Sequence, residues 1–208
     1  MDEDFILPVI IVCILIGLTV LLFWMKSRGK RSIIKSMKQA QEELKLTPFV
    51  GSHSQLDAVW YAVRGQVNGL TMKIFGGESR GILGGTVAKA ASMDRTCVMI
   101  IVSLPEAIPF RFNIQRRLAL STPKFGTSYA EFDKVAEVKT EEEKKALTIL
   151  NDEKLRAAII SFLKLAPNAF ITSSEVMIKV SSDKQVLHLA REAVTIATML
   201  GNQINPTK

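Results

Sequence analysis

Between Phe5 and Trp24 the sequence carries no charged side chain, and this run limits what the rest can be. A helix over those residues, at 1.5 Å rise each, is about 30 Å long, roughly the thickness of a bilayer's hydrocarbon core. The run therefore predicts a transmembrane helix, because a helix pairs its own backbone groups where no water is available. Pro8 falls in the first turn, where its missing N–H would have had no intrahelical partner. Gly17 is tolerated in such a span, but no Gly-x-x-x-Gly pair marks a close-packing face. Trp24 stands where an interfacial aromatic is expected. Phe5, Pro8, Gly17 and Trp24 are thus the candidate span residues.

A cleaved signal peptide would want a basic start, a shorter apolar core and small residues before the cut. Here Asp2, Glu3 and Asp4 precede a long run, and Met25-Lys26-Ser27-Arg28 follows it. Asp2 occupies the position at which myristoylation needs glycine, and the C-terminal residues contain no prenylation cysteine. Lys26, Arg28, Lys30, Arg31, Lys35 and Lys38 all follow the run, with no acidic residue until Glu42. Positive charge stays on the cytoplasmic side, so a plasma-membrane protein with its N-terminus outside and its main domain inside is expected. Cys13 and Cys97 offer no plausible disulfide, which fits a reducing compartment.

The net charge of +7 suggests nucleic acid until it is divided along the chain. The acidic tail contributes −3 and the basic collar +6, leaving +4 from residue 41 onward. That is ordinary for a single domain, so a nucleic-acid partner is not expected.

Ile33, Ile34, Met37, Ala40 and Leu44 recur at helical spacing, and Pro48 ends the pattern. Such a helix either lies along a lipid surface, with its lysines near anionic headgroups, or packs its stripe on the following domain or on a second copy. The collar residues Lys26 to Lys38 are the candidate anionic-lipid contacts. The expected division is an anchor with its acidic tail over 1–25, a basic amphipathic helix over 26–50 and an α+β domain over 51–208.

Within that domain, Val59–Val67 and Leu70–Phe75 flank Asn68-Gly69, the strongest short-range hairpin signal, since both turn positions need positive φ. Thr96–Leu104 is a continuous apolar run suited to a central strand. Phe110–Ile114 is expected to pair back on it, and Phe132–Val138 to form another strand. Thr140 to Glu143 has capping-box form, and Asn151-Asp152-Glu153 precedes a helix carrying Leu155, Ile159 and Phe162. Ala169–Thr172 and Glu175–Val180 suggest a second hairpin. Another capping box, Ser182 to Gln185, opens a last helix ending at Gly201. The order predicts an antiparallel sheet with helices on one face.

Catalytic templates find little footing. There are two histidines: His53 in a Gly-Ser-His-Ser loop and His188 in the last helix. His-Glu-x-x-His, Cys-x-x-Cys and Gly-x-Ser-x-Gly are absent, so no metal, cofactor or hydrolase assignment is made. The glycine-rich stretch over 76–85 lacks the lysine and hydroxyl of a phosphate loop and reads as a sheet connection. Glu131 and Asp133 on one strand face would be an acid/base candidate, with a solvated edge as the plainer reading. Arg111, Arg116 and Arg117 form a local basic group, either a solvated rim or an anionic-ligand surface.

Arg64-Gly65-Gln66-Val67-Asn68-Gly69, Glu131-Phe132-Asp133-Lys134 with Val138, Ala146-Leu147 with Leu150, and Leu155-Arg156-Ala157-Ala158 form a recognisable series. It resembles the pattern of a family of bacterial α+β domain proteins of unknown function, many of them membrane-linked. The resemblance covers roughly 58–200 and implies a bacterial origin and these domain boundaries, but no activity. The expected function is a single-pass protein whose cytoplasmic α+β domain recruits a protein partner. An anionic lipid or ligand sensor is the first alternative, and a membrane-tethered enzyme the second.

Overall fold

The computed structural model of the chain describes residues 3–79, 96–118, 125–180 and 185–204, the side chains of 3–10, 22, 23, 25, 26 and 79 excepted. A long helix α1 (Glu3–Glu43) leads into strands β1 (Thr47–Pro48), β2 (Leu56–Val67), β3 (Leu70–Ser79), β4 (Thr96–Ser103) and β5 (Phe112–Arg116). Then follow α2 (Ala130–Val135), β6 (Ala136–Thr140), α3 (Glu143–Ile149), α4 (Glu153–Leu165), β7 (Ala169–Ile171), β8 (Glu175–Val180) and α5 (Val186–Ile204). All strands join one sheet in the order β1-β2-β3-β4-β8-β7-β5-β6, and every neighbouring pair is antiparallel. The α+β class follows directly.

Among the described residues no helix is long and apolar enough to cross a membrane. This corrects the transmembrane helix expected over Phe5–Trp24 and the single-pass membrane character built on it. The apolar run is not a separate element. It is the first half of α1, whose second half is charged and leans on the sheet. Of the expected span residues, the side chains of Phe5 and Pro8 lie outside the described set. A Cβ on Gly17 would meet nothing within 4 Å, and Trp24 is exposed.

The second half of α1 packs inward. Ile33, Met37 and Ala40 are buried in the main core with Val63, Ile74, Val98 and Leu200. The stripe seen in the sequence therefore belongs to the domain. Tyr61 donates a hydrogen bond to Gln41, and Arg191 pairs with Glu43 at 2.8 Å, so both β2 and α5 fix this half.

The β2–β3 hairpin turns as its sequence demands, with Asn68 at φ 53° and Gly69 at φ 79°. Met72 and Ile74 are buried while Thr71 and Lys73 are exposed. Strand β4 explains its unbroken apolar run by alternation between two buried faces. Val98, Ile100 and Val102 join the main core beneath the helices. Cys97, Met99 and Ile101 join a smaller cluster on the other face with Leu56, Ala62 and Phe75. Phe49 packs there edge-on against Phe75, ring centres 5.5 Å apart.

Four local expectations are corrected. β5 pairs with β6 and β7, not with β4, whose free side is taken by β8. Residues 130–135 are helical and only Ala136–Thr140 is strand, because Asp133 is used to cap the preceding turn, as set out below. Helix α3 starts after Glu142 without a side-chain cap. Thr140 Oγ1 instead accepts the Glu142 N–H at 3.1 Å, one residue short of a capping box. Helix α4 does have the expected cap, Asp152 accepting from Lys154 N and Leu155 N. The final helix runs past Gly201 to Ile204. Gly201 is not a stop signal but a contact: a Cβ there would overlap the Pro105 ring.

Candidate functional site

Among the described residues, the exposed large apolar side chains concentrate on α1. Ile11, Val12, Ile14, Leu15, Ile16, Leu18, Val20, Leu21 and Trp24 are each 50–63% exposed. Full burial of a side chain of this size stabilises by about 1.5–3 kcal/mol, so covering nine half-exposed ones is worth on the order of 10 kcal/mol. Soluble surfaces scatter such residues singly, and a contiguous set marks an interaction surface.

The basic collar follows at once. Arg28, Lys30, Arg31, Lys35 and Lys38 are exposed, while the Lys26 side chain lies outside the described set. At 3.6 residues per turn, Arg28, Arg31, Lys35 and Lys38 fall within an arc of roughly 80°. That arc is opposite Ile33, Met37 and Ala40, which are held against the sheet. Lys30 sits on the flank, with Nζ 5.2 Å from the centre of the Trp60 ring on β2. One turn earlier, the Arg28 guanidinium stands 5.2 Å over Trp24. No sequence signal announces the Lys30–Trp60 pair, because nothing local relates a β2 residue to a helix position thirty residues before it.

The arginine group does not converge. Arg111 precedes β5 and faces Glu141 at 3.5 Å with both side chains well exposed. Arg116 lies at the other end of that strand, exposed. Arg117 turns back and donates to the Asp133 carbonyl at 2.9 Å.

The acidic candidates separate as well. The Asp133 carboxylate accepts the Thr127 N–H at 3.0 Å and its hydroxyl at 2.6 Å. Glu131 pairs with Lys134 one turn away, and that ammonium draws the carboxyl below its usual range. His53 packs over Phe75, ring centres 5.5 Å apart, and Nδ1 accepts the Gln55 N–H at 3.2 Å. Burial lowers its pKa, with the nearby Glu175 charge opposing. His188 is exposed on α5. Cys97 is buried, which pushes its thiol pKa up against a smaller opposing pull from Lys179. Glu131, Asp133, His53 and Cys97 therefore serve separate local structures. Of the glycine-rich stretch, residues 80–85 lie outside the described set; Gly76 and Gly77 belong to β3.

One open depression of about 410 Å³ is lined by Thr127, Ser128, Tyr129, Leu147, Thr148 and Asn151. Arg156 stacks on Tyr129 at 3.6 Å and donates to the Leu150 and Asn151 carbonyls. Ser128 has φ 67°, a left-handed conformation. The lining offers hydroxyls and a carboxamide but no charged group. That arrangement supplies neither a nucleophile–base pair nor a metal ligand set.

No family model matches the chain, and no curated protein matches it. A solved structure with some likeness is that of the mycobacterial trehalose monomycolate transport factor A. It is 10% identical over 84% of this chain and 96% of its own, with a TM-score of 0.49. At that identity and score the likeness does not extend to function.

Proposed function

We propose that the chain is a binding and scaffolding module that holds a partner protein at a lipid surface. The observation that carries this reading is the nine-residue exposed apolar set on α1, continued by a basic stripe on the same unbroken helix. Apolar residues partition among acyl chains, and each nearby Lys or Arg adds about 1 kcal/mol toward anionic headgroups. The apolar contribution is the larger, so association would weaken only modestly with salt. The second half of the same helix is built into the sheet core, so whatever the α+β domain binds is held at a fixed position relative to that surface.

Crosslinking in intact cells, followed by mass spectrometry, tests the scaffold. The control keeps residues 1–46 and replaces the remainder with an unrelated domain. A protein joined to the native chain and absent from the control is the expected result. Identical recovery from both would overturn the scaffold and leave only lipid attachment.

A further inference from the structure

Resting on the lipid reading above, we infer that the β2 end of the sheet, through Trp60, also touches the headgroup layer of an anionic bilayer. The lipid contact then fixes the domain's tilt as well as its attachment.

Three observations meet at this point. Trp60 is half-buried on β2 and carries the Lys30 ammonium over its ring. Trp24 is 55% exposed and carries the Arg28 guanidinium in the same way. Trp24 and Lys30 are about 9 Å apart along the helix axis, within the roughly 5–10 Å of headgroup and acyl boundary that an interfacial helix occupies, so both pairs reach that layer without α1 crossing the bilayer. Indoles settle at that level, with the ring among the upper acyl carbons and the N–H toward water, and lysine and arginine side chains reach the phosphates beside them.

The occupant is set by charge. Arg28, Lys30 and Arg31 cluster where α1 meets the sheet, and Gly29 lies against Thr96 of β4. Asp57 and Glu78 stand at the same end of the sheet, near the Ala58–Glu78 register pair, and each is engaged in an interaction of its own. Among the described residues three cations stand here against two carboxylates, flanked by two indoles and an exposed apolar helix. That combination fits phosphatidylglycerol-type headgroups better than a neutral surface.

The chain has two tryptophans, so each is isolated by one conservative change. Full-length Trp24→Phe, with Trp60 as the reporter, would be bound to vesicles of phosphatidylcholine and phosphatidylglycerol containing lipid brominated near the headgroup. Trp60→Phe, reporting Trp24, would be run beside it. Trp24 is exposed, so its replacement leaves the core untouched. The expected result is a roughly twofold loss of Trp60 emission, as for an indole at headgroup level, reduced when phosphatidylglycerol is omitted or in Lys30→Glu. Quenching of Trp24 with none of Trp60 would overturn this inference and leave the lipid reading standing. Quenching of neither would overturn both. Equal Trp60 quenching without phosphatidylglycerol would overturn the anionic assignment.

Discussion

Asp133 holds Thr127 with both ends of its carboxylate: one backbone N–H and one hydroxyl converge on it, the latter at 2.6 Å. Thr127 is 1% exposed, so without this partner two buried donors, its N–H and its O–H, would lose their acceptor. Asp133→Ala is expected to cost about 1–3 kcal/mol, and Asp133→Asn less, since one acceptor oxygen remains. Urea denaturation of the three proteins measures the ordering. An Asp133→Ala protein as stable as the parent would remove the carboxylate's structural role.

Stability should fall as the solution is acidified below about pH 6.5, in part through His53. Burial against Phe75 lowers its pKa from the ordinary imidazole value of about 6.5, so the folded state favours the neutral ring. Above that value both states are neutral and the group contributes no difference. Below it the unfolded chain takes up a proton that the folded chain resists, and stability drops down to the lowered folded value. His53→Gln should flatten that part of the pH–stability curve. Glu175 works in the opposite direction, so Glu175→Gln should steepen it.

The two thiols should differ sharply toward an uncharged alkylating reagent. Cys13 is exposed, and Cys97 is 1% exposed with its pKa raised by burial. The thiolate is the reactive form, so Cys97 is doubly protected. At neutral pH the folded chain should lose one thiol quickly and the second only in denaturant. Addition of anionic vesicles should then slow Cys13 as well, by covering the surface it occupies.

Gly77 and Gly76 sit side by side in β3 but should tolerate alanine unequally. A Cβ on Gly77 would run into the Ala58 carbonyl on β2, part of the backbone, at an irregular point in the pairing. A Cβ on Gly76 would first meet the Met37 thioether, which can swing aside. Gly77→Ala is expected to cost about 1–3 kcal/mol and Gly76→Ala less. Thermal unfolding of the pair reads the difference, and a reversed order would show that α1, not β2, is the tighter neighbour.

Elements with a local cause could be read from the sequence. Asn68-Gly69 names its turn, Asp152 names the start of α4, and the stripes of α4 and α5 bury as their spacing requires. The apolar run of β4 also read correctly as a central strand, because a strand covered on both faces needs no polar alternation. What failed was decided at long range. Nothing near Phe112 shows that its neighbours will be β6 and β7. Alternation around Phe132 looked like a strand because the Asp133–Thr127 bond that favours helix there spans six residues of irregular chain. At the candidate surface, the collar was legible as charge. Its link to Trp60 was not, since only the folded sheet brings the ring beneath Lys30.

The docking of α1 on α5 also dictates an order of events during synthesis. Glu43 and Arg191 are 148 residues apart, and at about 5–20 residues per second roughly 7–30 s pass before the partner helix is made. Through the later part of that interval Ile33, Met37 and Ala40 can already lie on β2 to β4, but the side of the sheet that α5 completes is still open. A ribosome that stalls short of α5 thus releases a product whose first helix has its sheet and lacks its last neighbour.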